Sequence, residues 1–190
     1  MPNPQGNIKS HIPYFTKLVE DVPGDFAEFG VFEGGIIELL RNFQGTRAIW
    51  AFDTFEGIPT EGYIPELDAG DPPGKWIPRK DIDIPHWLES MPNVRVVKGL
   101  FQNTLATAGV GVLALVHMDC DNYVAYKTVL DWLPAHLTNG SVVVLDDYNA
   151  CPGAKKAVDE FCEQHTKILR QEQVTHLVWG SKDVWAQVKA

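Results

Sequence analysis

Val116-His117-Met118-Asp119-Cys120-Asp121 and, about 20 residues later, Val142-Val143-Val144-Leu145-Asp146-Asp147-Tyr148 decide how this chain is read. Each is a mainly apolar run that ends in two acids. Short runs of this kind suit strands covered on both faces, as in a parallel sheet. If the two are neighbouring parallel strands, four carboxylates gather at one edge of one sheet. In open α/β sheets that edge, beyond the carboxyl ends of the strands, is where ligands sit. Crowded carboxylates repel one another and shift their pKa values. A divalent cation relieves that repulsion, and oxygen-rich donor sets suit Mg, Ca or Mn rather than zinc.

The surrounding sequence extends the alternation of strand and helix. Upstream, Asp25–Val31 and Ala48–Asp53 read as strands, with helices expected over Ile12–Val22 and Ile36–Phe43. Val94–Lys98 reads as a third strand, followed by a helix from about Gln102. Val112–Met118 and Ser141–Leu145 follow as strands, and Tyr123–His136 and Gly153–Gln164 as helices. Val174–Trp179 and Val184–Val188 complete a set of seven strands; the tight turn between them forces an antiparallel pair. The expectation is one α/β domain over residues 1–190, Rossmann-like, with a mostly parallel seven-stranded sheet, a C-terminal antiparallel hairpin and helices on both faces. Residues 1–23 are read as an N-terminal helix or arm. The Pro- and Gly-rich stretch 54–85 is read as a lid-like insertion, because a loop of this length in a compact domain is functional or disordered and its aromatics Phe55, Tyr63 and Trp76 favour order.

The bulk numbers exclude more than they assign. A chain of 190 residues with 45% hydrophobic and 22% charged residues suits one soluble domain. The formal charge of -9 argues against a nucleic-acid surface. Three cysteines without CxxC spacing fit a reducing cytoplasm better than a disulfide framework. No apolar run approaches the roughly 20 residues of a membrane span.

Chemistry-bearing residues cluster at the expected strand ends. The first strand turns through Glu28-Phe29-Gly30-Val31-Phe32-Glu33-Gly34-Gly35, whose glycines allow close approach of the backbone to a ligand. The spacing is neither a dinucleotide fingerprint nor a P-loop. The acid Glu28 suits a cationic ligand better than a phosphate; the same glycines would serve a plain tight turn. Asp53 ends the second strand about 20 residues after the glycines, where a ribose-binding acid falls, and a capping aspartate fits equally. Gly99 and Phe101 follow the third strand, where an adenine ring would lie, although a core role for Phe101 explains the same letters. Asp119 and Asp121, two apart, would share a face in an extended segment. Adjacent Asp146 and Asp147 would both enter the site only if the backbone turns there. His117 shares the face of Asp119 and fits a ligand, a base or a structural histidine. Cys120 reads as a small buried filler.

With these residues in place the chain resembles the macrocin O-methyltransferase (TylF) family. The resemblance is carried by Gly24–Gly35, Phe52-Asp53-Thr54-Phe55-Glu56-Gly57-Ile58-Pro59, Val97–Phe101, His117–Asp121 and Asp146-Asp147-Tyr148 leading into Pro152–Phe161. It implies a class I methyltransferase fold and S-adenosylmethionine as cofactor, with Glu28, Phe29, Gly30, Gly34, Asp53, Thr54, Phe55, Gly99 and Phe101 as the cofactor-binding positions. It implies Mg held by Asp119, Asp146 and Asp147, with Asp121 as general base, and O-methylation of a hydroxyl on a sugar or other small hydroxylated acceptor. Cys120 stands where members usually carry glycine. Members also have a longer N-terminal segment that helps to cover the acceptor and form dimers; about 23 residues precede the first strand here, so an open or differently capped pocket is expected, with a homo-oligomer as a possible assembly. Competing readings are a non-catalytic S-adenosylmethionine-binding protein of the same fold and a metal-dependent hydrolase.

Overall fold

The computed structural model describes residues 10–165, 168–171 and 175–180. Its centre is a seven-stranded sheet of order β3-β2-β1-β4-β5-β7-β6, built from β1 (Asp25–Phe29), β2 (Ile49–Asp53), β3 (Val94–Lys98), β4 (Leu113–Met118), β5 (Leu137–Leu145), β6 (Ile168–Gln171) and β7 (Thr175–Val178). The first five run parallel, and β7 lies antiparallel to both β5 and β6. All six residues of β4 are buried, as its apolar run requires of a strand covered on both faces.

The helices are α1 (Ile12–Leu18), α2 (Gly35–Leu40), α3 (Pro65–Asp68), α4 (Ile84–Glu89), α5 (Phe101–Thr104), α6 (Tyr123–Trp132) and α7 (Pro152–His165). Ile12 and Phe15 of α1, Ile37 and Leu40 of α2 and Leu88 of α4 pack with Phe26, Ile49, Leu115 and Val144 in one core. Tyr126, Val129 and Leu130 of α6 pack with Val158 and Phe161 of α7 against Phe29, Phe52, Val116 and Met118 in the other. The sheet therefore separates two apolar cores, as helices on both faces demand.

Six of the seven expected strands fall among the described residues; the expected Val184–Val188 strand lies outside them. Besides β5, β7 pairs antiparallel with β6, which precedes it in sequence and was not expected. The insertion at 54–85 contains α3 and reaches the first residues of α4. Asp68 anchors it: its carboxylate accepts hydrogen bonds from the backbone N–H groups of Tyr123 and Ile64, each at 3.0 Å. Gly153 makes room for this anchor, since a Cβ there would lie 2.1 Å from Asp68 Oδ1. The middle of the insertion is thereby docked where α6 and α7 begin.

Candidate active site

Strand order reverses between β1 and β4, and a cavity of about 700 Å³ opens at the carboxyl ends of the strands there. This volume lies within the range of small-ligand sites. At the end of β1 the chain turns through Gly30, with φ +88°. A Cβ at Gly30 would come within 1.7 Å of the Asp119 carbonyl oxygen, so glycine lets the tips of β1 and β4 meet. Asp53, at the end of β2, holds this turn. Its Oδ2 accepts from the backbone N–H groups of Val31 (2.6 Å) and Phe32 (2.8 Å), and its Oδ1 from that of Phe55 (2.6 Å).

The acids meet at the tips of β4 and β5. Ligand oxygens of Asp119, Asp121 and Asp147 lie within 4.8 Å of one another. A second such group joins Asp119 and Asp146 to a ring nitrogen of His117. The route to this convergence differs from the extended geometry expected. Strand β4 stops at Met118, and Asp121 is in the left-handed region at φ +63°, a conformation that aspartate tolerates better than most residues. This bend, rather than a shared strand face, brings Asp121 beside Asp119. The Asp121 backbone N–H donates to Asp147 Oδ2 at 2.9 Å. On the other side Asp146–Asn149 forms a 3₁₀ turn, so that both Asp146 and Asp147 line the cavity.

Tyr126, which the sequence reading passed over, clamps the two tips. Its fully buried hydroxyl donates to the Met118 carbonyl at 2.8 Å and accepts from the Asp147 backbone N–H at 3.3 Å. Its helical spacing marked only a core position; nothing local signals that its hydroxyl bridges two strands.

Electrostatically the acids are uncompensated. Among the described residues no lysine or arginine forms an ion pair with Asp119, Asp121, Asp146 or Asp147. Burial, reinforced by the neighbouring carboxylates, pushes Asp119 well above the ordinary carboxylate range. The same causes raise Asp121 to about 8. Burial lifts Asp147 to about 6 against the hydrogen bond from the Asp121 backbone. Lys75, whose charge acts on Asp121, is tied to Asp71 Oδ1 at 2.7 Å.

Of the expected site residues, Gly30, Asp53, Thr54, Gly99, Phe101, Asp119, Asp121, Asp146 and Asp147 line the cavity. Glu28, Phe29, Gly34 and Phe55 are not among its lining residues. Phe29 is fully buried and stacked on Phe52 at 4.7 Å. Gly34 precedes α2 at φ +81°, where a Cβ would meet the Leu88 side chain at 2.9 Å. Glu28 is 1% exposed and faces His117, and Phe55 packs against the first core. The insertion supplies wall residues that the sequence reading did not single out for the site, notably Asp71, Lys75 and Trp76.

The family described as macrocin-O-methyltransferase (TylF) matches residues 15–179. The chain belongs to this TylF family. Among curated relatives it is 34% identical over 159 residues to the demethyldecarbamoylnovobiocin O-methyltransferase of Streptomyces niveus, covering 74% of this chain and 59% of that protein. It is 30% identical over 168 residues to the mycinamicin III 3''-O-methyltransferase of Micromonospora griseorubida, covering 79% and 65%. The chain thus spans about three fifths of the length of the curated relatives it matches. Among solved structures, the O-methyltransferase NovP superposes with a TM-score of 0.74 at 28% identity, over 91% of this chain and 79% of NovP. The calicheamicin methyltransferase CalS11 gives 0.78 at 23% identity over 92% and 79%, a likeness of fold. The TylF chain described here therefore has the class I methyltransferase architecture that its sequence suggested. No helix among its described residues is long and apolar enough to cross a membrane.

Proposed function

We propose that the protein is an S-adenosylmethionine- and Mg-dependent O-methyltransferase acting on a hydroxyl of a sugar or other small hydroxylated metabolite. The observation that carries this reading is the convergence of Asp119, Asp121 and Asp147 on the wall of the cavity that also contains the glycine turn at Gly30. The donor set fits a hard dication: carboxylate oxygens gathered with no lysine or arginine ion pair among the described residues, their pKa values raised by burial and by one another. The other half of the cavity fits the cofactor. Gly30 presents bare backbone, Asp53 lies where a ribose diol would be met, and Gly99 and Phe101 border the space for an adenine. Acidic walls favour a sulfonium over a phosphate. The named reactions of the relatives, on a novobiocin precursor and on mycinamicin III, support a glycoside-like acceptor.

When bound, S-adenosylmethionine supplies a methyl group on a positively charged sulfur and leaves as the neutral thioether. When bound, Mg lowers the pKa of a hydroxyl that it touches. Asp119, Asp146 and Asp147 would hold the ion. Asp121 would take the hydroxyl proton as the acceptor oxygen bonds to the methyl carbon and the carbon–sulfur electron pair returns to sulfur. Its position on the cavity wall and its lifted basicity suit a general base. Tyr126 keeps the β4 and β5 tips in register, and Asp71, Lys75 and Trp76 of the insertion would close the pocket to water. Calorimetry with S-adenosylmethionine, followed by methyl transfer to a panel of polyols and glycosides with and without Mg, tests the reading. We expect saturable binding and Mg-stimulated transfer; no heat at high micromolar cofactor would refute it.

A further inference from the structure

His117 and Glu28 sit side by side on β4 and β1, in register, and each is 1% exposed. His117 Nδ1 lies 3.4 Å from Glu28 Oε1. His117 Nδ1 and Nε2 and Glu28 Oε2 have no hydrogen-bond partner among the described residues, so the Glu28 contact is an ion-pair approach rather than a hydrogen bond. A buried polar atom left unpaired costs about 1–3 kcal/mol, and the neighbouring strand position in β5 is filled by a valine, Val144. Packing alone therefore gives no reason for a histidine at this point in the sheet. The ring has two carboxylates within reach: a nitrogen of His117 and oxygens of Asp119 and Asp146 fall within 4.8 Å of one another. A histidine that ligates a metal characteristically has its second ring nitrogen oriented by a carboxylate, the relation that Glu28 bears to His117.

We propose that His117, Asp119 and Asp146 form a second cation position, one nitrogen and two carboxylates, that takes a borderline transition dication such as Mn, Co or Ni. It shares Asp119 and Asp146 with the set of Asp119, Asp146 and Asp147 assigned to Mg, so His117 and Asp147 are alternative third donors on two sides of one acidic cluster. Imidazole favours transition metals, whereas carboxylates alone suit Mg. Hardness then decides where an ion settles: Mg on the Asp147 side, a transition dication on the His117 side. Glu28, whose carboxylate lies 3.4 Å from His117 Nδ1, is a positioning residue for the imidazole.

This inference rests on reading the acid cluster as a cation site, and its test separates the two. Pulsed EPR of the untagged full chain loaded with Mn should show nitrogen coupling from an imidazole, and His117→Gln should remove it. By calorimetry, His117→Gln should weaken Co binding about 10–100-fold while leaving Mg affinity within about threefold, and Asp147→Asn should do the reverse. Should His117→Gln fail to fold, the spectrum of the unaltered chain and the metal preference of Asp147→Asn still decide. Absence of nitrogen coupling in the unaltered chain, or equal weakening of Mg and Co by His117→Gln, overturns the proposal. Mg binding without nitrogen coupling overturns the second position and leaves the oxygen-only site standing; no heat with Mg, Mn or Co overturns both.

Discussion

The two ends of one sheet treat charge in opposite ways. At the amino ends, Asp25 accepts from the Ala48 backbone N–H at 3.0 Å and from Trp50 Nε1 at 3.1 Å. Arg47 donates to the carbonyls of Val22 (2.7 Å), Glu20 (2.9 Å), Val19 (3.2 Å) and Gly24, and its guanidinium lies over the Phe26 ring at 5.3 Å. These charges are satisfied by the chain's own backbone and need no ligand. At the carboxyl ends, Asp119, Asp121 and Asp147 gather without a basic partner, and their carboxyls are held above the ordinary range. Folding alone accounts for the first arrangement. The second works against folding, and under the proposed function a bound cation would offset it.

Substitutions at the two ends should separate sharply. The largest effect is expected at the reactive end. Asp121→Asn should lower turnover by about 10²–10⁴-fold, the usual range for a general base, while cofactor binding by calorimetry stays intact; unchanged turnover would remove Asp121 from that role. Gly30→Ala forces a left-handed φ on a Cβ that overlaps the Asp119 carbonyl. It should cost about 3 kcal/mol or more in urea unfolding, with cofactor and metal affinity lost together. Arg47→Ala, at the amino end, should cost about 2–3 kcal/mol of stability and leave Mg affinity unchanged. A large change in metal binding there would erase the contrast between the ends.

A further contrast is one of pH. The carboxyls of Asp121 and Asp147 titrate in the fold near 8 and 6, above the ordinary 3.8. Between those values the folded state holds protons that the unfolded chain has released. Stability of the metal-free protein should therefore decline as pH rises from about 4 to about 8. Added Mg should reverse the decline, and Asp119→Asn should flatten it. Thermal melts across this range, with and without Mg, provide the check; a flat metal-free profile would mean that the acids are compensated after all.

The contrast also shows what could be read from letters alone. The five parallel strands and the helices α1, α2, α5, α6 and α7 were legible from their periodicity, α3 and α4 were not, and β4 and β5 announced their buried position by unbroken apolar runs. The acids were legible because Asp119, Asp121, Asp146 and Asp147 follow those runs directly. The lining of the cavity was less legible from the letters. Glu28 and Phe29 precede Gly30 in sequence, but in the fold their side chains are buried within the sheet layers, so proximity along the chain did not translate into a place on the cavity wall. Strand β6 was missed because Ile168-Leu169-Arg170-Gln171 is a short segment with no strong alternation. Tyr126 and Asp68 act across distant segments, which no local pattern encodes.

By itself the sequence determined that apolar runs would be layered into a covered parallel sheet and that two acid pairs would lie at the ends of two of its strands, because burial follows the spacing of apolar side chains. Tertiary structure alone decided which oxygens meet. The left-handed bend at Asp121, the 3₁₀ turn at Asp146 and the Tyr126 hydroxyl between the strand tips set distances that depend on backbone torsions and on partners far apart in the chain.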